Sequence, residues 1–220
     1  MLDKFRCDFI VHFYGAVFIP NKICMVTELA HYGSLQDVMK KYTTSDIQLK
    51  MKVKFVLDAS KGISYLHTNG ILHRDIKPDN ILVFTFNVND KANSKLTDFG
   101  SSRNLNMMMT NMTFTKGVGT PVYMAPEILQ QEKYKKSADI YSLAITMFEC
   151  LNWVHAYPKQ KFKFPWTIAE YVIRGNRLPK PDEMSQGLFD IISNCWNSDP
   201  IKRCSIKEVI YKLELIYNSV

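Results

Sequence analysis

Asp75, Lys77 and Asn80 lie in one short stretch, His73-Arg74-Asp75-Ile76-Lys77-Pro78-Asp79-Asn80, and Asp98 follows further on, ahead of Phe99-Gly100. These residue types have a combined chemistry. A carboxylate can accept a proton from a hydroxyl. A cation two positions on can sit against an anionic group. An amide oxygen and a second carboxylate form a hard-oxygen pair, and Mg2+ takes such oxygens alongside phosphate oxygens and water. Without its neighbours Asp75 would read as a solvated turn carboxylate, and a lone Asp-Phe-Gly arises easily by chance.

The order of the motifs decides between these readings. Residues 73–80 match the pattern H-R-D-L-x-x-x-N of a protein kinase catalytic loop, with Ile76 in place of Leu. Asp98-Phe99-Gly100 and Ala125-Pro126-Glu127 follow in the family's order. The chain therefore resembles the protein kinase superfamily over nearly its whole length. The resemblance implies phosphoryl transfer, which needs positioning and charge neutralisation more than covalent help. It makes Asp75 the acceptor of the substrate hydroxyl's proton and Lys77 the cation near the transferred group. Asn80 and Asp98 become the Mg2+ ligands, with ATP as donor and a protein Ser or Thr hydroxyl as acceptor. Thr27 would be the gatekeeper at the back of an adenine pocket. The C=O of Glu28 and the N–H and C=O of Ala30 would pair with adenine, Asp37 would lie near the ribose, and Leu82 would floor the pocket.

Further positions follow from the same resemblance. The activation segment would run over 98–127, with Thr110, Thr113 and Thr115 as candidate phosphorylation sites for an upstream kinase. A phosphate there would meet Arg74, with Lys116 nearby, and order the loop. His73, Phe99, Thr120, Glu127, Asp139 and Arg203 take supporting places. Thr120 would bond toward Asp75 and Lys77, Asp139 would hold the catalytic-loop backbone, and Arg203 would pair with Glu127. Lys77 and Gly119-Thr120-Pro121 resemble the serine/threonine type. Gly33-Ser34-Leu35 and Asp199-Pro200…Arg203 resemble the tyrosine-kinase-like group.

The elements that must position these residues are legible in outline. Apolar β-branched and aromatic runs at 10–18 and 23–27, with Pro20-Asn21 between them, read as a hairpin. Ser34 can cap a short helix through Tyr42. Phe55, Ala59, Ile63 and Leu66 fall on one face of a long helix that Asn69-Gly70 ends. Residues 81–84 read as a short strand and 85–94 as a surface loop. Ser137-Ala138-Asp139 reads as a cap, and residues 140–151, apolar on nearly every side, as a helix buried at the centre of a lobe. Residues 158–165 read as a loop, and further helices are expected at about 167–174, 186–196 and 205–217, with Ser205 and Glu208 as a capping box. The fold class is thus α+β and protein-kinase-like. Residues 1–32 would form the remnant of a small lobe, hairpin and hinge, and residues 33–220 a helical large lobe.

Composition agrees with such a domain. The 220 residues are 46% hydrophobic, enough for a real core. The net charge of +7 is scattered, with no tight basic block to suggest nucleic acid. The five cysteines are dispersed without a C-x-x-C pair, which reads as reduced intracellular thiols. No signal-peptide core and no membrane-length apolar run is present, so a cytoplasmic protein is expected. The sequence contains no G-x-G-x-x-G loop in the family's place and no V-A-I-K lysine with its helix glutamate. The resemblance therefore begins near the fourth small-lobe strand. A kinase-like binding or scaffold module with little activity is the alternative expectation.

Overall fold

The computed structural model describes residues 7–20, 22–98, 103–104 and 121–220. In chain order the elements are β1 (Phe13–Ile19), β2 (Lys22–Thr27), α1 (Leu35–Lys41), α2 (Leu49–Thr68), β3 (Ile71–Leu72), β4 (Ile81–Val83), β5 (Ser94–Leu96), β6 (Arg103–Asn104), α3 (Pro126–Leu129), α4 (Lys136–Asn152), α5 (Pro165–Ile173), α6 (Gln186–Cys195) and α7 (Ile206–Ser219). Three antiparallel strand pairs, β1–β2, β3–β6 and β4–β5, accompany the helices. The class is α+β and helix-rich.

The body is built around α2 and α4. Phe55, Ala59, Ile63 and Leu66 of α2 are all buried, as their spacing predicts. Asn69 caps the helix, and Gly70 takes the left-handed φ of 70° that turns the chain into β3. The helix α4 is buried on almost every side, including Tyr141, Leu143, Ile145 and Met147. It packs on α2 and α6, while α7 covers another side of α2. Ser34 and Asp37 form a reciprocal capping box on α1, and Ser205 and Glu208 form one on α7.

Three expectations change. Ser137 is not a cap: α4 already begins at Lys136, and the Ser137 carbonyl accepts from Arg203 Nη1 at 2.9 Å. Ile10 and Val11 do not belong to the hairpin. Both are buried, and the Val11 N–H donates to Leu96 at 2.8 Å, joining this segment to β5. The loop after β4 is not wholly superficial either. Asn93 and Ser94 are fully buried because Asp58 accepts the Asn93 N–H at 2.7 Å and Ser94 Oγ donates to the Phe55 carbonyl at 3.0 Å. Phe86 adds edge-on contacts with Tyr32, Tyr42 and Phe55 that fasten the same loop to α1 and α2.

The hairpin contrasts with this body. The β1–β2 ladder runs from Phe13↔Thr27 to Ile19↔Lys22 with an irregularity at Phe13/Gly15. Every residue of β2 is exposed, and so are Tyr14, Val17, Phe18 and Ile19 of β1.

Candidate active site

Asp139, near the start of α4, organises the loop that carries Asp75. Its carboxylate is fully buried and accepts four hydrogen bonds. Oδ2 takes His67 Nε2 at 2.8 Å and the His73 N–H at 3.0 Å. Oδ1 takes the Arg74 N–H at 2.9 Å and the Tyr134 hydroxyl at 2.9 Å. Burial alone would raise the carboxyl's pKa, but these donors, His67 first, hold it below the usual range. The bonds fix the backbone where Arg74 adopts a left-handed φ of 73°, a strained state for a side chain of this size. The Arg74 guanidinium lies 5.6 Å from the centre of the Tyr134 ring.

His73 links that loop to the strand leading to Asp98. Burial pushes its imidazole below the ordinary value, against the pull of Asp139 and the Thr97 carbonyl. A neutral ring suits its contacts. Nε2–H donates to the Thr97 carbonyl at 2.9 Å, and Nδ1 accepts the Asp75 N–H at 3.3 Å. The Thr97 N–H in turn donates to the Asn80 carbonyl at 3.0 Å. Thr97 is thus tied to both ends of the catalytic-loop stretch, and Asp98 follows it at a left-handed φ of 59°.

The reacting groups expected from sequence converge at this point. Lys77 Nζ lies 2.7 Å from Asp75 Oδ2. Asn80 Nδ2 donates to the Asp75 backbone carbonyl at 2.7 Å and to Oδ2 at 2.9 Å. Binding through its nitrogen leaves the Asn80 amide oxygen as the atom to offer a cation. Asp98 is the next residue after Thr97, whose N–H donates to the Asn80 carbonyl. Among the described residues no cluster of three His, Cys, Asp or Glu side chains is placed to hold a metal ion. One amide oxygen and one carboxylate suit Mg2+, which retains water and phosphate oxygens, better than a metal needing an all-protein cage.

The hinge is arranged less simply. The Tyr32 N–H donates to the Val83 carbonyl and the Val83 N–H to the Gly33 carbonyl, at 3.3 and 2.8 Å, so the hinge exit pairs with β4. Leu82, half-exposed between buried Ile81 and Val83, faces away from the core, where a flat ring could lie on it. Thr27 is exposed at the end of β2 rather than enclosed. The Ala30 carbonyl already accepts from the Gly33 N–H at 3.3 Å, leaving its second lone pair for another donor. Asp37 Oδ2 takes both the Ser34 N–H and Oγ–H, which hold the carboxyl below its usual range. Glu28 reaches Lys95 at 2.6 Å and the His12 N–H at 2.7 Å, joining the hinge to β5.

Glu127 and Arg203 meet as a buried bidentate pair at 2.6 and 2.7 Å. Phe99, Thr110, Thr113, Thr115 and Thr120 lie outside the described residues. Reasoning from sequence missed His67, Tyr134 and Lys95. Only His67 left a signal, because it follows Ile63 by four residues on the buried side of α2 and so needed a polar partner.

A family model described as "Protein kinase domain" matches residues 1–213. Among curated proteins, the chain is 31% identical over 245 residues to the probable serine/threonine-protein kinase gdt9 of Dictyostelium discoideum, covering 99% of this chain and 15% of that protein. It is 32% identical over 221 residues to serine/threonine-protein kinase STY17 of Arabidopsis thaliana, covering 100% of this chain and 37% of that protein. It is 33% identical over 221 residues to the RGS domain-containing serine/threonine-protein kinase A of Dictyostelium discoideum, covering 100% and 18%. The chain thus spans well under half the length of each of these relatives.

Proposed function

Because the chain belongs to the protein kinase family, we propose that it transfers the γ-phosphate of ATP to Ser or Thr hydroxyls of proteins, as a member of the tyrosine-kinase-like group. The observation that carries this reading is the Asp75 carboxylate, held between Lys77 and Asn80 on a loop that Asp139 pins from below. Asp75 accepts the hydroxyl proton as the oxygen attacks. Asn80 and His73 orient Asp75, one through its carboxylate and one through its backbone. Lys77 is close enough to share its charge between Asp75 and an incoming phosphoryl group. Asn80 and Asp98 would hold Mg2+, which neutralises phosphate charge when bound. Leu82 and the Glu28–Ala30 backbone would receive the adenine, with Thr27 and Asp37 at its edges. Residues 1–32 act as the hinge-side portion of a small lobe, and phosphorylation within 98–127 would dock on Arg74.

A second reading, a binding module with little chemistry, draws on the exposed apolar hairpin. Transfer of labelled γ-phosphate by the full chain with Mg2+, followed by phosphoamino-acid analysis, distinguishes the two. Asp75→Asn should lower transfer by about 10²–10⁴-fold with nucleotide binding retained. Equal transfer by both chains would remove Asp75 from the chemistry. Nucleotide binding with no transfer by the parent chain would favour the binding module.

A further inference from the structure

Cys195 and Cys204 read as unrelated in the sequence, nine positions apart and in different elements. The fold places them together. Cys195 ends α6 and is fully buried, whereas Cys204 precedes α7 and is half-buried. The Cys204 N–H donates to the Asn194 carbonyl at 3.3 Å, which lays the two residues side by side. Lys212 Nζ approaches the Cys204 sulfur at 4.0 Å. Both thiols are reduced.

We propose that Cys195 and Cys204 form a peroxide-responsive dithiol, with Cys204 as the attacking thiol and Cys195 as the resolving one. The division follows from exposure and charge. Cys204 is reachable from solvent and has a cation beside it, while Cys195 is enclosed. The Cys195 hydrogen bond, opposed by burial and assisted by Lys212, brings the Cys204 thiol down to about 7, although Glu208 works against it. The same contact and burial push the Cys195 thiol up. A thiolate formed near neutral pH in an electropositive, partly exposed place is the reactive kind.

The chemistry balances with a hydroperoxide as oxidant. The Cys204 thiolate attacks the distal peroxide oxygen; the O–O bond breaks, an S–O bond forms, and the departing oxyanion takes a proton from solvent. Cys195 sulfur then attacks the sulfenic sulfur; an S–S bond forms, the S–O bond breaks, and the Cys195 proton leaves with the hydroxyl as water. Two electrons pass from the dithiol to the peroxide, and an external dithiol reverses the change. Arg203, the residue before Cys204, is the one that holds Glu127.

The test treats the full chain with hydrogen peroxide, alkylates it with N-ethylmaleimide after denaturation, and maps tryptic peptides. Cleavage after Arg203 separates the two cysteines. The expected result is loss of both thiols together, with one linked peptide pair that dithiothreitol separates. Cys204→Ser should leave Cys195 fully alkylatable, and Cys195→Ser should leave a Cys204 sulfenic acid that dimedone traps. Lys212→Met should slow the loss of both thiols. The proposal is overturned if the exposed Cys24 is consumed before Cys204, if Cys204 reaches sulfinic acid with no linked pair, or if both thiols survive peroxide. None of these readouts depends on phosphoryl transfer.

Discussion

The stretch from His73 to Asn80 contains little regular structure beyond one 3-10 turn at Pro78–Asn80, whereas β1 and β2 make the longest strand pairing among the described residues. Yet the irregular stretch is the more firmly held. Asp139 satisfies two of its backbone N–H groups, His73 ties it to Thr97, and Ile76 is fully buried beneath it. The hairpin has its ladder and little else, since both strands turn most of their apolar side chains to solvent. Two strands without a covered face are only marginally stable in water. Regular hydrogen bonding alone does not fix a segment. Buried polar groups with every partner present do so even where the backbone is strained, because releasing them would leave desolvated atoms unpaired.

The strongest way to break the contrast is to remove one member of a buried pair in the body. Arg203 lies under the loops with its guanidinium on Glu127, and the two side chains are 1% and 9% exposed. Arg203→Met would strand a buried carboxylate and should cost about 3–5 kcal/mol. Adding Glu127→Gln to that chain should recover part of the loss, since the stranded charge is then gone. Urea unfolding midpoints of the three chains measure this. A cost below about 1 kcal/mol would mean that the pair is solvated and the body less tightly held than its geometry indicates.

Acid tests the loop itself and has a smaller effect. His73 is buried with its imidazole pKa depressed, so the folded state favours the neutral ring. The unfolded chain takes up the proton below about pH 6.5, and the folded chain resists it until lower pH. The stabilisation is therefore complete above about pH 6.5 and is lost as pH falls toward the folded pKa. The slope is at most about 1.4 kcal/mol per pH unit for this one proton. Asp139 adds a second, more acidic window. Its depressed carboxyl contributes fully above about pH 3.9 and loses that contribution as pH falls through its folded value. Thermal midpoints between pH 7.5 and 5 should fall for the parent chain and flatten in His73→Asn. An unchanged slope in that variant would show that the ring is not the titrating group.

These regions were not equally readable from sequence. The helices announced themselves through spacing and caps, as in Phe55, Ala59 and Ile63 on α2 or Ser205 with Glu208 on α7. The members of the catalytic loop could be found because His73, Arg74, Asp75, Lys77 and Asn80 are local to one another. The loop's anchoring was less visible. The resemblance named Asp139, but His67 and Tyr134 share its carboxylate only through folding, across 72 residues in the case of His67. Glu28 and Lys95 are 67 residues apart, and neither has a pattern that points to the other. Ser137 looked like a cap because local rules favour serine there, but Arg203 sits against that turn and takes the Ser137 carbonyl. The nearness of Cys195 and Cys204 was hidden for the same reason: spacing rules look for C-x-x-C, while the segment between α6 and α7 brings the Cys204 N–H onto the Asn194 carbonyl.

The mildest change, on the hairpin, gives the sharpest test of the contrast. Phe18 and Ile23 are cross-strand partners, 76% and 69% exposed. Cross-strand pairs of this kind are worth about 0.2–1 kcal/mol, and substitutions away from a core usually move stability by no more than about 0.5 kcal/mol. Phe18→Ser and Ile23→Thr should therefore each leave the urea midpoint nearly unchanged, with the same denaturant slope, because little surface is covered at either position. The small size is informative because both side chains are large and apolar. Were they buried in solution, truncating the phenylalanine would cost several kcal/mol through lost burial and a cavity. A loss above about 2 kcal/mol for Phe18→Ser would thus show that the hairpin's face is covered when the protein is in solution. The division between a held body and an unheld hairpin would then fail, and the hairpin would belong with the loop as a packed part of the fold.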